Sequence, residues 1–216
     1  MKIYFFGDSI SFGQYISAEM TWVHKIGVEL RKQYPDMELL IQNPSINGNT
    51  TRMAWERMPY DIQSHEVDIL VVGFGMNDCN YWVTDKGVPR VSLAGFEANM
   101  KEIIDRAYNF DVKEVIIHTN HPSPRQDIMT NTDITYSQSN HFYNDIIRKV
   151  AADDNRVRFV DIEQKMLGYE GPVSDLTLPD GVHLSLLGHS LYFKYIFECI
   201  TQIIQGMKNK ELKQHD

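Results

Sequence analysis

Short apolar runs alternate with longer amphipathic segments along the whole sequence. This alternation is typical of a parallel β-sheet whose faces are covered by helices. The run Asp68–Gly73 is almost continuously apolar, as expected for a strand that is buried on both faces. Five such runs are predicted to be strands: Lys2–Phe6, Glu38–Gln42, Asp68–Gly73, Glu114–Thr119 and Val157–Asp161.

The longer amphipathic segments predict five helices. They are Thr21–Gln33, Thr51–Met58, Ser92–Asn109, Ser137–Ala152 and Leu186–Lys208. One stripe of the fourth helix is apolar, and its members are Phe142, Ile146, Ile147 and Val150. We predict one domain over residues 1–208, followed by a charged, frayed tail over 209–216.

Two connections are too long to be simple links between a strand and a helix. Cys79–Val91 and Asn120–Tyr136 both follow predicted strands, so both are expected at the carboxyl edge of the sheet, where open α/β folds bind ligands. Long ordered loops in a compact domain are usually functional. The alternative is a surface insertion without a role, since loops tolerate insertions well.

Composition narrows the class of protein and of partner. The chain has 216 residues, enough for one domain with a sizeable core, and its 43% hydrophobic and 23% charged content is ordinary for a soluble globular protein. A net charge of −8 argues against nucleic acid as a partner, because phosphate binding needs a basic face. Two cysteines, Cys79 and Cys199, are too few for a disulfide framework and indicate a reducing compartment.

The first residues give no sign of a signal peptide, since Met1–Gly7 turns polar at once without a cleavage site. No stretch approaches the ~20 apolar residues that cross a bilayer. We therefore expect a cytoplasmic protein without a membrane partner.

A turn of small and polar residues follows the first strand. Gly7-Asp8-Ser9 would bring a serine to the carboxyl edge of the sheet, close to backbone N–H groups that can stabilise an oxyanion. Aspartate and serine also dominate caps and turns for local hydrogen-bonding reasons. Taken alone, this motif indicates a cap.

A possible partner for that serine lies near the other end of the chain. Asp180-Gly181-Val182-His183 places a carboxylate three residues before a histidine, in a turn that enters a helix. Histidine is the usual base for a serine nucleophile, and a carboxylate on its other nitrogen fixes the tautomer. A helix N-terminus with an incidental histidine would give the same spacing.

Two further motifs follow the second and third strands. Gly73–Asp78 contains Asn77, whose amide can donate to an oxyanion without a change of charge. Asn43–Thr51 contains Gly48, where a backbone N–H could approach a ligand closely. A self-bonded turn and plain helix capping are the respective alternatives.

The order of these four motifs resembles the GDSL-type, or SGNH, hydrolase family, over a span from Gly7 to His183. The resemblance implies an α/β fold, a three-layer α/β/α sandwich with a flavodoxin-like, five-stranded parallel sheet. It also implies that Ser9 is the nucleophile, that His183 is the general base and that Asp180 orients it. The implied oxyanion donors are the N–H groups of Ser9 and Gly48 and the side chain of Asn77.

The sequence departs from the family pattern in few places. Ile10 stands where the family's nickname has leucine, a conservative change. The assignment of Gly48 stays open, because Ser45 and Asn47 lie in the same loop.

Two other classes of protein remain possible on sequence grounds. A metal-dependent phosphoesterase would use ligand-type residues that meet at the sheet edge: Asp8, Asn77, Asp78, His118, His121, Asp180 and His183. A non-catalytic carbohydrate-binding module could share the fold, since fold does not determine function. The filled catalytic positions favour the esterase, and we expect no cofactor and no metal.

The sequence says least about the substrate. Aromatic and polar residues in the two long loops are what a sugar site would use, and the candidate contacts are Tyr81, Trp82, His121 and Arg125, with Asn120 and Tyr136 nearby. We therefore expect a small-molecule ester, with a small acyl group such as acetyl on a sugar or another polar alcohol. Thioesterase and lysophospholipase activities of the same family are the alternatives, and the oligomeric state is left open.

Overall fold

The five predicted strands form one sheet in the computed structural model, which describes residues 1–212, with side chains as far as position 209. Every neighbouring pair is parallel, and the strand order is β2-β1-β3-β4-β5. The flavodoxin-like parallel sheet is therefore confirmed. Its strands are β1 (Lys2–Gly7), β2 (Leu40–Gln42), β3 (Ile69–Gly73), β4 (Glu114–His118) and β5 (Arg158–Val160).

Helices cover both faces of this sheet. On one face α2 packs against α7, and on the other α4 packs between α3 and α5. All five residues of β3 are buried, as its continuous apolar run predicts. The α-helices of the described part are α1 (Ser9–Phe12), α2 (Trp22–Gln33), α3 (Thr51–Met58), α4 (Leu93–Asn109), α5 (Tyr136–Asp153), α6 (Ile162–Leu167) and α7 (Leu186–Leu212).

Capping residues explain most differences between predicted and observed helix starts. Thr21 and Ser92 were counted as helical, but each is an N-cap whose hydroxyl accepts from a backbone N–H in the first turn. Thr135 forms a capping box with Gln138, so α5 begins one residue earlier than predicted. The short helices α1 and α6 were not predicted, because four to six residues carry too little periodicity.

The apolar stripe predicted for α5 is partly wrong. Ile147 and Val150 are buried and Ile146 is partly buried, but Phe142 is 43% exposed and lies outside the buried face. That face is partly polar: its buried members are Tyr136, Ser139, Asn140, Tyr143, Asn144, Ile147 and Val150. The polar members bind the loops that follow β3 and β4, which is why an apolar pattern alone misplaces the face.

The last helix continues to Leu212, four residues past the predicted end at Lys208. Positions 213–216 of the predicted frayed tail lie outside the described residues. Among the residues that are described, no helix is long and apolar enough to span a membrane.

Candidate active site

The serine after the first strand is the first residue of α1. Asp8 precedes Ser9 as the N-cap, and its Oδ1 accepts a hydrogen bond of 2.9 Å from the second N–H of α1. Gly7 is needed for space rather than for an unusual turn geometry. A Cβ atom on Gly7 would lie 2.5 Å from Oγ of Ser11 and 2.7 Å from the carbonyl oxygen of Gly73. The end of β1 can therefore lie against β3 only without a side chain at position 7.

Three side chains form a continuous hydrogen-bonded chain at the carboxyl edge of the sheet. Nε2 of His183 lies 3.0 Å from Oγ of Ser9, and Nδ1 of His183 lies 2.6 Å from Oδ2 of Asp180. Ser9 and His183 are 174 positions apart in the chain. When Nδ1 carries the proton and donates to the carboxylate, Nε2 is free to take the proton of the serine hydroxyl.

The backbone of the same turn holds Asp180 in place. Its Oδ1 accepts hydrogen bonds of 2.9 Å from the N–H groups of Val182 and His183. Partial burial opposes ionisation of Asp180, but hydrogen bonds from the His183 ring and from these N–H groups outweigh it, so the pKa of Asp180 lies below its usual value. Asp180 is thus a carboxylate at neutral pH, which favours the tautomer with the proton on Nδ1.

Asn77 lies between the carboxyl group of Asp8 and the guanidinium of Arg90. Its Nδ2 donates to Oδ2 of Asp8 at 3.2 Å, and its Oδ1 accepts from Nη1 of Arg90 at 3.2 Å. The hydroxyl of Tyr136 at the start of α5 donates to the carbonyl oxygen of Met76 at 2.6 Å, which holds the loop before Asn77. An amide nitrogen carries two hydrogens, so the bond to Asp8 leaves one for a ligand at Ser9.

Two carboxyl groups are buried beneath the site. Burial raises the pKa of Asp8 to about 7 and that of Asp78 to about 6. Oδ1 of Asp78 accepts from the backbone N–H and the hydroxyl of Thr51, at 2.9 and 2.5 Å, at the start of α3. Asp78 therefore joins the β3 loop to α3 rather than facing the serine.

The loop after β2 brings a backbone segment to the same edge. Gly48 has a φ of +77°, in the left-handed region that favours glycine, and a Cβ atom there would meet nothing within 4 Å. Its carbonyl oxygen accepts from Nη2 of Arg90 at 3.0 Å. Ser45 is buried and donates its hydroxyl to the carbonyl oxygen of Phe5 at 2.9 Å, so it points into the core. Gly48 is therefore better placed than Ser45 to meet a ligand.

Comparison with known proteins shows to which family the chain belongs. A model of the GDSL-like Lipase/Acylhydrolase family matches residues 5–191. The chain belongs to this family. It is accordingly a hydrolase that acts on ester bonds.

Several solved structures share the fold of this chain. The acetyl xylan esterase AlAXEase superposes with a TM-score of 0.75 at 21% identity, over 93% of this chain and 100% of that one. An acetylxylan esterase from Geobacillus stearothermophilus gives 0.74 at 22% identity, over 91% and 92% of the two chains. The lipase/acylhydrolase from Enterococcus faecalis gives 0.74 at 22% identity, over 92% and 94%. A search among curated proteins found no match.

The loop Cys79–Val91 lies beside the site of this family member, as predicted. Trp82 is 49% exposed, and the guanidinium of Arg90 lies over its ring at 4.2 Å. Tyr81 is half-buried in the same loop. Arg90 also contacts Asn77, so Trp82 lies close to the site. The predicted contacts of Tyr81 and Trp82 with the substrate stay predictions.

The first part of the loop after β4 is buried and packs against the segment that carries His183, so it contributes little to the surface of the site. His121 is fully buried; its Nε2 lies 2.8 Å from the carbonyl oxygen of Val182, and its Nδ1 lies 3.4 Å from the hydroxyl of Tyr192. The prediction that His121 contacts the substrate is therefore wrong: a fully buried ring cannot reach a ligand. Asn120 and Tyr136 are buried as well and serve as internal braces.

Arg125 lies at the edge of the same loop. Its guanidinium pairs with Asp127, at 2.7 Å from Nη2 to Oδ2, and lies 4.7 Å above the ring of Tyr136. Its aliphatic stem packs close to Gly181, just before the histidine. An acidic group on a substrate would have to compete with Asp127 for the guanidinium. The predicted contact between Arg125 and the substrate stays a prediction.

The other ligand-type residues do not gather into one cluster. His118 and His189 are buried, and burial lowers the pKa of each to about 4. Nδ1 of His189 accepts from the backbone N–H of Trp22 at 3.2 Å, so its ring is part of the core. Across the described part of the chain, no group of three or more His, Cys, Asp or Glu side chains is arranged to hold a metal ion.

Two residues at the site were missed by the sequence analysis. Arg90 closes the loop Cys79–Val91 and touches both Asn77 and Gly48. Tyr15 is 71% exposed, has a φ of +69°, and meets the ring of His183 edge-on at 5.0 Å between centroids. The sequence signal that could have identified Tyr15 is an aromatic residue six positions after the candidate serine.

Proposed function

We propose that this chain is a serine esterase that removes a small acyl group, most simply acetyl, from a sugar or another polar alcohol. The observation that carries the chemistry is the hydrogen-bonded chain from Asp180 through His183 to Ser9. Its two distances, 2.6 and 3.0 Å, are those of a base ready to take a proton from a nucleophile.

The proposed mechanism is a two-step acyl transfer. Oγ of Ser9 attacks the ester carbonyl while Nε2 of His183 takes its proton, and Asp180 stabilises the imidazolium. The tetrahedral intermediate collapses, His183 passes the proton to the leaving alcohol, and an acyl-serine remains. Water then attacks this ester with His183 as the base, and the carboxylic acid leaves as Ser9 recovers its proton.

Three donors are proposed to hold the oxyanion. They are the N–H groups of Ser9 and Gly48 and the second N–H of the Asn77 amide. The open space at Gly48 and the fixed amide of Asn77 support this assignment. Such donors act most strongly where they are held in place before the charge develops.

The assignment of the acyl group and of the alcohol draws on the solved structures and on two aromatic side chains. Two solved structures similar to this chain are described as acetyl xylan esterases, and exposed aromatic rings stand on two sides of the site, at Tyr15 and Trp82. Aromatic faces of this kind suit the apolar faces of sugar rings. The similar lipase/acylhydrolase from Enterococcus faecalis keeps longer acyl esters as the second candidate.

The test compares acetyl and octanoyl nitrophenyl esters, together with acetylated xylo-oligosaccharides, acyl-thioesters and lysophospholipids. Ser9→Ala serves as the blank. We expect kcat/KM to be highest for acetyl esters, and turnover to vanish in the blank.

Two controls separate the alternatives. A clear preference for octanoyl esters would contradict the small-acyl assignment. Loss of activity with a chelator, in a protein that a fluorophosphonate does not inhibit, would contradict the serine mechanism and favour a metal-dependent phosphoesterase.

A further inference from the structure

Arg90 joins two loops that carry proposed oxyanion donors, at Asn77 and at Gly48. Its Nη1 donates to Oδ1 of Asn77 at 3.2 Å, and its Nη2 donates to the carbonyl oxygen of Gly48 at 3.0 Å. The ring of Trp82 lies 4.2 Å from the guanidinium carbon. The guanidinium of Arg90 thus makes three contacts, with Asn77, Gly48 and Trp82.

The contact with Asn77 matters because a primary amide can sit in two orientations. Rotation by half a turn exchanges its oxygen and its nitrogen, which differ little in shape. Arginine can only donate hydrogen bonds, so Arg90 can bind Asn77 only in the orientation that presents Oδ1 to the guanidinium. Asp8 meets the other end of the amide, where its Oδ2 accepts from Nδ2.

We propose that Arg90 is a positioning residue that fixes the Asn77 amide with its nitrogen towards the oxyanion. This inference rests on the proposed acyl transfer at Ser9. Without the guanidinium, the flipped amide would present an oxygen to the developing negative charge, and the donor would become a repulsive group.

The loop itself does not depend on the guanidinium. The backbone N–H of Arg90 donates to the carbonyl oxygen of Asn80 at 3.0 Å, and that of Val91 donates to the carbonyl oxygen of Asp78 at 3.3 Å. These bonds do not involve the side chain of Arg90, and we expect them to persist when it is changed. The effect on the amide can therefore be measured in a folded protein.

The first arm of the test uses Arg90→Met, which keeps the apolar stem over Trp82 but removes every donor, and Arg90→Lys, which keeps one charged donor. We expect kcat to fall about 10- to 100-fold in Arg90→Met with KM changed less than about threefold, because misplacement acts on the transition state. Arg90→Lys should recover part of the loss. If the methionine variant does not fold, the loss of kcat is measured in the lysine variant instead.

Arg52→Met is the matched control. Arg52 reaches the same loop, where its Nη2 donates to the carbonyl oxygen of Arg90 at 3.2 Å, but it is exposed and makes no contact with the amide. Turnover should stay within about twofold of wild type. Equal losses in Arg52→Met and Arg90→Met would reduce Arg90 to a support of the loop and overturn the inference.

The second arm is a double-mutant cycle with Asn77→Ala. If Arg90 acts through the amide, Arg90→Met should cost several-fold less turnover once the amide is gone. Additive losses would overturn the inference.

Ser9→Ala, assayed in parallel, tells the two proposals apart. Full activity in Arg90→Met with none in Ser9→Ala would overturn this inference alone. Unchanged activity in Ser9→Ala would overturn the proposed function, and the role of Arg90 with it.

Discussion

At the scale of single residues, the proposed oxyanion donors are neutral groups that hydrogen-bonded neighbours hold in place. Asn77 is the clearest case, since the Asp8 carboxyl group and the Arg90 guanidinium bind the two ends of its amide. The amide brings no charge of its own and needs no proton transfer to act. Its contribution should therefore appear in turnover rather than in binding.

We predict that Asn77→Ala keeps the fold and loses most activity. Removal of one oxyanion donor costs about 10²–10³ in kcat at comparable sites. Steady-state kinetics on an acetyl ester measure the loss, and thermal unfolding verifies that the variant is folded. Equal turnover in the two proteins would remove Asn77 from the mechanism.

Residues in short motifs could be predicted, and residues known only by their contacts could not. Ser9, Asn77 and the pair Asp180 and His183 carry recognisable local patterns, and the structure brings them together. Arg90 has no motif, and its role follows from bonds to positions 13 and 42 residues away. The misassignment of His121 has the converse cause, because a polar residue in a long loop gives no sign of whether it is buried.

At the scale of elements, α5 holds the loops behind the site through its polar residues. Oδ1 of Asn144 accepts from the N–H of Asn120 at 2.7 Å, and its Nδ2 donates to the carbonyl oxygen of Asn120 at 3.2 Å. Asn140 binds the side chain of Asn120 and the carbonyl oxygen of His121, both at 2.9 Å. Helix propensity and periodicity predicted that a helix lies here, but they could not reveal that its buried face carries amides.

We predict that Asn144→Ala lowers the free energy of unfolding by about 2–4 kcal/mol, since it leaves an N–H and a carbonyl group unpaired in the core. Phe142→Ala, on the exposed side of the same helix, should cost less than about 1 kcal/mol. Urea unfolding of both variants measures the difference. The opposite ranking would restore the apolar stripe as the buried face and contradict the structure.

At the scale of the whole molecule, the proposed catalytic groups meet only when the sheet is complete. Ser9 follows a central strand, whereas Asp180 and His183 precede the last helix. The strand order could be predicted only through the family resemblance, because periodicity identifies strands without ordering them. The common edge followed from the rule that parallel strands present their carboxyl ends together.

Buried ionisable groups set the pH dependence of stability. Burial lowers the pKa of His118, His121 and His189 from 6.5 to about 4, so each favours folding at high pH and opposes it as pH falls below 6.5. Asp8 and Asp78 act in the opposite sense: their raised pKa values, about 7 and 6, make the folded state the better proton binder above pH 3.8. Between about pH 4.5 and 6, the unfolded chain binds more additional protons on the three histidines than the folded protein binds on the two carboxyl groups.

We therefore predict that the free energy of unfolding rises by about 1 kcal/mol per pH unit between roughly pH 4.5 and 6, because the unfolded chain binds about one proton more. Above about pH 7 the histidines of the unfolded chain have also lost most of their protons, so stability should level off. Urea unfolding across this range measures the slope. A steady decline from pH 4.5 to 6 would mean that the buried histidines are charged in the folded protein.

The central claim is that Ser9 is the nucleophile, and the most direct measurement is to locate a covalent adduct. The protein is treated with a fluorophosphonate, and the modified residue is identified by tandem mass spectrometry while residual esterase activity is followed. We predict one adduct, on Ser9, whose extent matches the loss of activity and which Ser9→Ala does not form. Full activity with Ser9 modified, or inactivation with the adduct on another residue, would contradict the account.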